Sequence, residues 1–348
     1  MSILKPHVPL DRGGERLLVY VADPLRRSPA LSWTPDIEQL GLILTAAEKH
    51  GVLPAAIRGL NELIQNARES GRADATTVDQ ATEALEAARL KLAYQTGFRM
   101  MMSHHARQIM AAFASAGIAG AVVKGAAFAQ RLYHEPSLRT FTDVDILISE
   151  QHRYKTGEVM RALGFELFEF EDRKGKDYHE QKWLLPPQND IMIEVHSNLV
   201  HSPKLRGAMS VGYEDVLAAG DGDCSDATAL LFVAAAHGSV GHQLDRLQHL
   251  VDVMQAARGA AGPIDAARLA RVSQRCGLTF AIFGALELAG KTFGELGCFA
   301  LAKHLKPSII ARLPGQLLSP ALVVRGQSEA RNRGSWRRNL FRQALRVV

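Results

Sequence analysis

From Val122 to Ser149 the chain reads Val-Val-Lys-Gly-Ala-Ala-Phe-Ala-Gln-Arg-Leu-Tyr-His-Glu-Pro-Ser-Leu-Arg-Thr-Phe-Thr-Asp-Val-Asp-Ile-Leu-Ile-Ser. A short apolar run, Ala121 to Val123, stops at Lys124-Gly125, and a turn or two of helix follows to Tyr133. A loop carrying Arg139 then leads into a second apolar run that opens Asp143-Val144-Asp145. This is the pattern strand, glycine turn, helix, loop, strand. Side chains alternate across a strand, so Asp143 and Asp145 share one face while Val144 and Ile146 take the other. Two carboxylates so close repel each other unless a cation lies between them.

Outward from this stretch, the sequence after it supplies the rest of a sheet. Ser149-Glu150 opens a helix that runs to Leu163 and stops at Gly164. Phe165 to Phe170 alternates large apolar with acidic residues and reads as a half-exposed strand; residues 171–177, with Gly175, form a turn. His179 to Leu185 is a partner strand ended by Pro186-Pro187, and Gln188-Asn189-Asp190 turns the chain into a strand from Ile191 to His196. Along that last strand Met192, Glu194 and His196 point one way and Ile191, Ile193 and Val195 the other.

At Lys124-Gly125, Arg139 and Asp143-Val144-Asp145-Ile146-Leu147 the sequence resembles the polymerase-β-like nucleotidyltransferase superfamily. Within it, the resemblance is to a family of bacterial proteins mostly called uncharacterised nucleotidyltransferases. It implies an α+β fold, a mixed β-sheet with helices on one side, flanked by N- and C-terminal helical regions. It also implies catalytic, metal-holding carboxylates at Asp143, Asp145 and, from a neighbouring strand, Glu194, where the family more often carries Asp. Asp190 in the preceding turn is the alternative third carboxylate. Lys124, Gly125 and Arg139 are the expected nucleotide-binding residues, Mg²⁺ or Mn²⁺ the cofactor, and a nucleoside triphosphate the substrate, with ATP the first expectation. The superfamily's commoner turn is Gly-Ser; here Gly125-Ala126 lacks the hydroxyl, so Lys124 or Arg139 must carry more of the charge neutralisation.

The flanks read as helical. Leu17 to Val21 is a short β-like run in an otherwise mixed start, and Thr34-Pro35-Asp36 reads as a helix start with Thr34 as cap. Further helices are expected over Leu53 to Glu69 and from Thr77 through Leu92, the helical pattern continuing from Tyr94 to Ala116. His104-His105 on the last of these face different ways and do not make a joint metal site. Beyond Tyr213, helices are expected from Ala229 to His237, from Gln243 to Ala257, from Asp265, and from Leu278 to Phe293, with interruptions at Pro307 and Pro314. Asp245, His249 and Asp252 fall along one helix face, a spacing seen in metal sites and more often in solvated or domain-facing rows. This part resembles the family's helical C-terminal region, which closes one wall of the cleft; His237, His242 and Asp252, with His196 at the strand end, are its candidate lining residues. The division expected is 1–95 N-terminal helical region, 96–212 nucleotidyltransferase core, 213–324 C-terminal helical domain and 325–348 basic tail.

Composition narrows the setting. The 348 residues, 47% of them hydrophobic, suffice for two or three domains with sizeable cores. The formal charge of +5 is modest and concentrates in the tail, so charge alone does not announce a nucleic-acid binder. Cys224, Cys276 and Cys298 have no Cys-x-x-Cys spacing, which argues against zinc and disulfide frameworks and fits a reducing cytoplasm. Met1 to Arg16 has no apolar signal core, and no run of about 18 uncharged apolar residues exists, so no transmembrane segment is expected. From Arg325 on, arginines interleave with Trp336 and Phe341, and from Trp336 they fit an amphipathic helix: a solvated or partner-docking tail, or one that meets an anionic partner such as RNA or a lipid surface.

The expected activity is transfer of a nucleoside monophosphate to a hydroxyl of an acceptor, a small molecule, peptide or protein. Two alternatives remain: a catalytically inactive binding or regulatory protein of the same fold, and an RNA-directed enzyme using the basic tail.

Overall fold

A computed structural model describes residues 10–27, 31, 33–168, 179–187, 189–305, 317–326 and 336–346. The turn expected at 171–177, Phe170, Pro307, Pro314 and the tail arginines Arg331 and Arg333 lie outside the described residues.

Among the described residues, five strands form one mixed sheet in the order β1-β2-β5-β4-β3. They are β1 (Gly120–Val122), β2 (Val144–Ile148), β3 (Glu166–Phe168), β4 (Glu180–Leu184) and β5 (Met192–His196). β2 and β5 run parallel, and every other neighbouring pair is antiparallel. Val144, Ile146, Ile193, Val195 and Trp183 face one side and are buried against helix α4 (Ala75–Ser115) and α6 (Arg153–Ala162), through Met102, Ile109, Phe113 and Met160. The opposite face is polar. Helices on one side of a mixed sheet are thus what the chain forms, flanked by helical regions before and after, as expected.

Before the sheet come α1 (Arg12–Ala22), α2 (Ile37–Lys49), α3 (Leu53–Glu69) and α4; between β1 and β2 lies α5 (Ala126–Leu132). After it follow α7 (Pro203–Arg206), α8 (Tyr213–Ala219), α9 (Ala227–Ala236), α10 (Leu247–Ala257), α11 (Ala266–Arg275), α12 (Thr279–Phe293), α13 (Leu296–Leu305), α14 (Pro320–Gly326) and α15 (Trp336–Ala344). Asp11, Asp36, Asp74, Asp226 and Asp265 cap their helices, each side chain accepting from a backbone N–H in the first turn. One apolar core joins α1 to α3 and the first half of α4 to α8 through α15, and a second lies beneath the sheet. Arg258, just past α10, forks onto Asp23 at 2.7 and 2.9 Å and ties this body to α1.

Several local expectations change. The run Leu17 to Val21 is helical: Leu17, Leu18, Val21 and Ala22 are buried at helical spacing, and this packing overrides the β preference of Val19 and Tyr20. Asp36, not Thr34, caps α2, because its carboxylate reaches the Gln39 N–H at 3.0 Å. The helix expected from Thr77, its pattern continuing past Tyr94 to Ala116, is α4, which starts two residues earlier at Ala75 behind the Asp74 cap and runs 41 residues. The helix expected from Gln243 starts at Leu247; Gln243 and Leu244 both take φ of 53°, which a right-handed helix does not allow.

The tail docks. Phe341 on α15 is fully buried, its ring 5.3 Å from that of Phe280, and Arg338 is buried with Nη2 donating to the Leu322 carbonyl at 3.1 Å. Arg325 pairs with Glu15. Among the described residues, the three cysteines are free and no helix is long and apolar enough to cross a membrane.

Candidate active site

The polar face of the sheet follows from register. Asp145 on β2 stands opposite Glu194 on β5, and β4 sets Lys182 opposite Glu194 and Glu180 opposite His196. Paired residues share a face and alternate residues return to it, so Asp145, Glu194, His196, Lys182 and Glu180 gather on one side. His196 Nε2 lies 2.9 Å from Asp145 Oδ1 and 3.7 Å from Glu194 Oε2. Lys182 pairs with Glu194 Oε1 and stands 3.2 Å from Glu180 Oε1, while Glu180 Oε2 lies 2.8 Å from His201 Nδ1.

Lys124, at the end of β1, brings Nζ to 2.5 Å from Asp145 Oδ1, and both groups are buried. Burial pushes the Asp145 carboxyl up, but Lys124 and His196 more than offset this and hold it below the usual range. For Lys124 burial works against the charged form, and Asp145 beside it raises the pKa in net. Asp143, one residue before β2, behaves oppositely: burial, then the charges of Asp145 and Glu194, push it up to about 6. Three carboxylates therefore crowd a site whose nearest cation is already engaged. Asp145, Glu194 and His196 each offer a ligand atom within 4.8 Å of one another.

Gly125 makes the turn into α5, with φ 49° and ψ −107°, and a Cβ there would stand 3.1 Å from the Asp143 carbonyl oxygen. Glycine meets both demands. Ala126 begins the helix and is buried. Arg139, expected to face a phosphate, is buried and turned onto Asp252: Nε donates to Oδ1 and Nη2 to Oδ2, both at 2.8 Å. Nη1 donates to the Gly125 carbonyl at 3.1 Å, and the guanidinium lies 5.2 Å from the Phe128 ring centre. The Tyr133 hydroxyl donates to Asp252 Oδ1 at 2.8 Å. Asp252 is thus the buried anchor of the arginine loop.

His237 and His242 stand together, ring centres 4.6 Å apart, and His249 joins them. Asp252 does not complete a metal row with Asp245 and His249, because Arg139 and Tyr133 hold its carboxylate; Asp245 Oδ1 lies 3.5 Å from His249 Nδ1. Asp190, in the turn before β5, is exposed on the wall of an open cleft of about 570 Å³ with Tyr94, Phe98, Thr142 and Arg246. Lys182, Glu180, Tyr133 and His201 stand in or beside this site without being expected from the sequence. For the first two a signal was present, since Glu180 and Lys182 alternate with Gln181 and Trp183 in a strand.

A family model described as "Uncharacterised nucleotidyltransferase" matches residues 38–294. No curated protein and no solved structure matches the chain.

Proposed function

We propose that this chain, which belongs to the uncharacterised nucleotidyltransferase family, moves a nucleoside monophosphate from a nucleoside triphosphate, ATP first among them, to a hydroxyl of a small-molecule, peptide or protein acceptor. That it is an enzyme of nucleotidyl transfer follows from the family; donor, acceptor and cofactor are inferred from the site. The observation that carries the reading is the in-register pairing of Asp145 with Glu194 on parallel strands, with Asp143 raised first by burial and then by their charges.

An oxygen-rich donor set under mutual repulsion suits a hard divalent cation, Mg²⁺ or Mn²⁺, held by Asp143, Asp145 and Glu194. When bound, such an ion neutralises charge on the phosphates and lowers the pKa of the attacking hydroxyl. Lys124 adds positive charge beside Asp145. Glu194 Oε1 is engaged by Lys182, which leaves Oε2 to accept the proton of the acceptor hydroxyl. Lys182 and His196 fix the two carboxylates. Arg139 is a positioning residue: through the Gly125 carbonyl it holds the turn whose backbone N–H groups face the triphosphate. The open cleft beside Thr142 gives the acceptor or base a wall of Tyr94 and Phe98.

Incubation of the pure protein with each labelled nucleoside triphosphate, Mg²⁺ or Mn²⁺ and a cell extract tests this. Label should pass to one fraction with release of pyrophosphate, and Asp143→Asn with Asp145→Asn should abolish both. A thermal shift with nucleotide but no pyrophosphate in any arm would make the chain a binding protein instead.

A further inference from the structure

We propose that His237, His242 and His249 form a binding site for a first-row transition-metal ion of the zinc class, separate from the carboxylates on the sheet. The three come from different places in the chain: His237 opens the π-helical turn His237–Gly241 that continues α9, His242 follows it, and His249 lies on α10. Their ring centres are 4.6, 5.6 and 4.5 Å apart, and one ring nitrogen of each lies within 4.8 Å of the others.

The backbone brings them together by close approach. A Cβ at Gly238 would stand 3.1 Å from Leu244 Cδ2 and 3.3 Å from His249 Cβ, so a larger residue there would push the turn off α10. π-Helical turns inside helices are rare and recur at functional sites.

A histidine that merely fills a core satisfies both nitrogens, as His50 does: Nδ1 accepts from the Leu247 N–H at 3.2 Å and Nε2 meets the Val324 carbonyl at 3.0 Å. His249 differs. It is 7% exposed, and its Nδ1 has no hydrogen-bond partner among the described residues, the Asp245 carboxylate lying 3.5 Å away. Burial first, then His242 and the cations Arg246, Arg139 and Lys124, disfavour the imidazolium form of this ring. His237 and His242 are held neutral likewise, His242 with its pKa near 4. Neutral imidazoles offer lone pairs to a metal and no charge to a phosphate.

An all-nitrogen donor set selects zinc and its neighbours over magnesium, whose preference is oxygen. Three protein ligands leave a fourth position for water or an anionic oxygen, the arrangement of open zinc sites.

The test is equilibrium dialysis of the full chain against Zn²⁺ in a large excess of Mg²⁺, without nucleotide, together with Co²⁺ titration followed in the visible. Since it reads binding alone, it is independent of the transferase reading. One Zn²⁺ per chain should be retained and Co²⁺ should give the absorption of a nitrogen-ligated four- or five-coordinate ion. His242→Ala, at an exposed position, should weaken Zn²⁺ by more than about tenfold with an unchanged circular dichroism spectrum, and Asp143→Asn should retain it. Loss of Zn²⁺ to Mg²⁺, wild-type affinity in His242→Ala, or loss of the ion in Asp143→Asn would each overturn the proposal.

Discussion

Asp143 and Asp145 stand two residues apart on one face, yet their surroundings act on them in opposite senses. Asp143 has its pKa raised to about 6 by burial and two like charges, so above that pH its ionised form weakens the fold. Asp143→Asn should therefore raise stability at pH 7 by about 1 to 3 kcal/mol while removing turnover, an exchange common where function requires strain. Asp145→Asn should do the reverse to stability, costing about 3 kcal/mol or more, because it leaves Lys124 buried without its carboxylate. Urea denaturation of the two variants measures both signs. His50 gives a pH dependence far from the site. A backbone N–H can donate only to an unprotonated nitrogen, so Nδ1 is bare and Nε2 carries the proton given to Val324. Burial lowers its pKa to about 4, against the ordinary 6.5. The unfolded chain thus binds more protons between those values, and stability should be full above pH 6.5 and fall by about 3 kcal/mol as pH drops to 4. His50→Asn should flatten that part of the profile.

Among elements, what the sequence made legible is what depends on near neighbours. α3 spans Leu53–Glu69 as its apolar spacing and the following glycine require, and the acidic face of β2 follows from period-two alternation. Contacts between distant residues leave no such trace. Nothing near Arg139 in the chain says that its partner is Asp252, 113 residues on, so the fork reads as a phosphate ligand until α10 is packed against α5. Likewise, His249 belongs to a row with Asp245 and Asp252 by spacing, and to a cluster with His237 and His242 only once the π turn folds over α10. The Arg139–Asp252 pair makes a prediction at this scale. Asp252→Ala strands a buried guanidinium and should cost about 3 to 5 kcal/mol, whereas the double variant with Arg139→Met should recover most of it. Activity should not return with stability, because the Gly125 carbonyl has lost its donor.

Across the whole molecule, the N-terminal and C-terminal helices share one core, and the basic tail closes it. Phe341 and Arg338 are buried, and Arg325 pairs with Glu15 some three hundred residues away in sequence. Deleting the chain from Trp336 should therefore lower the midpoint of thermal unfolding, and Phe341→Ala alone should cost about 3 to 5 kcal/mol. A tail serving only to hold an anionic acceptor would leave both unchanged. One further consequence lies in α4. At about 1.5 Å per residue its 41 residues make an unbroken rod of about 60 Å, with Val78 and Leu85 seated in one core and Met102 and Phe113 in the other. Tyr94, Phe98 and Arg99 on its middle line the cleft. A rod has no pivot there, so the cleft along its side is a fixed gauge. X-ray scattering curves recorded with and without nucleotide should superimpose, and discrimination between acceptors should fall to the side chains bordering that cleft.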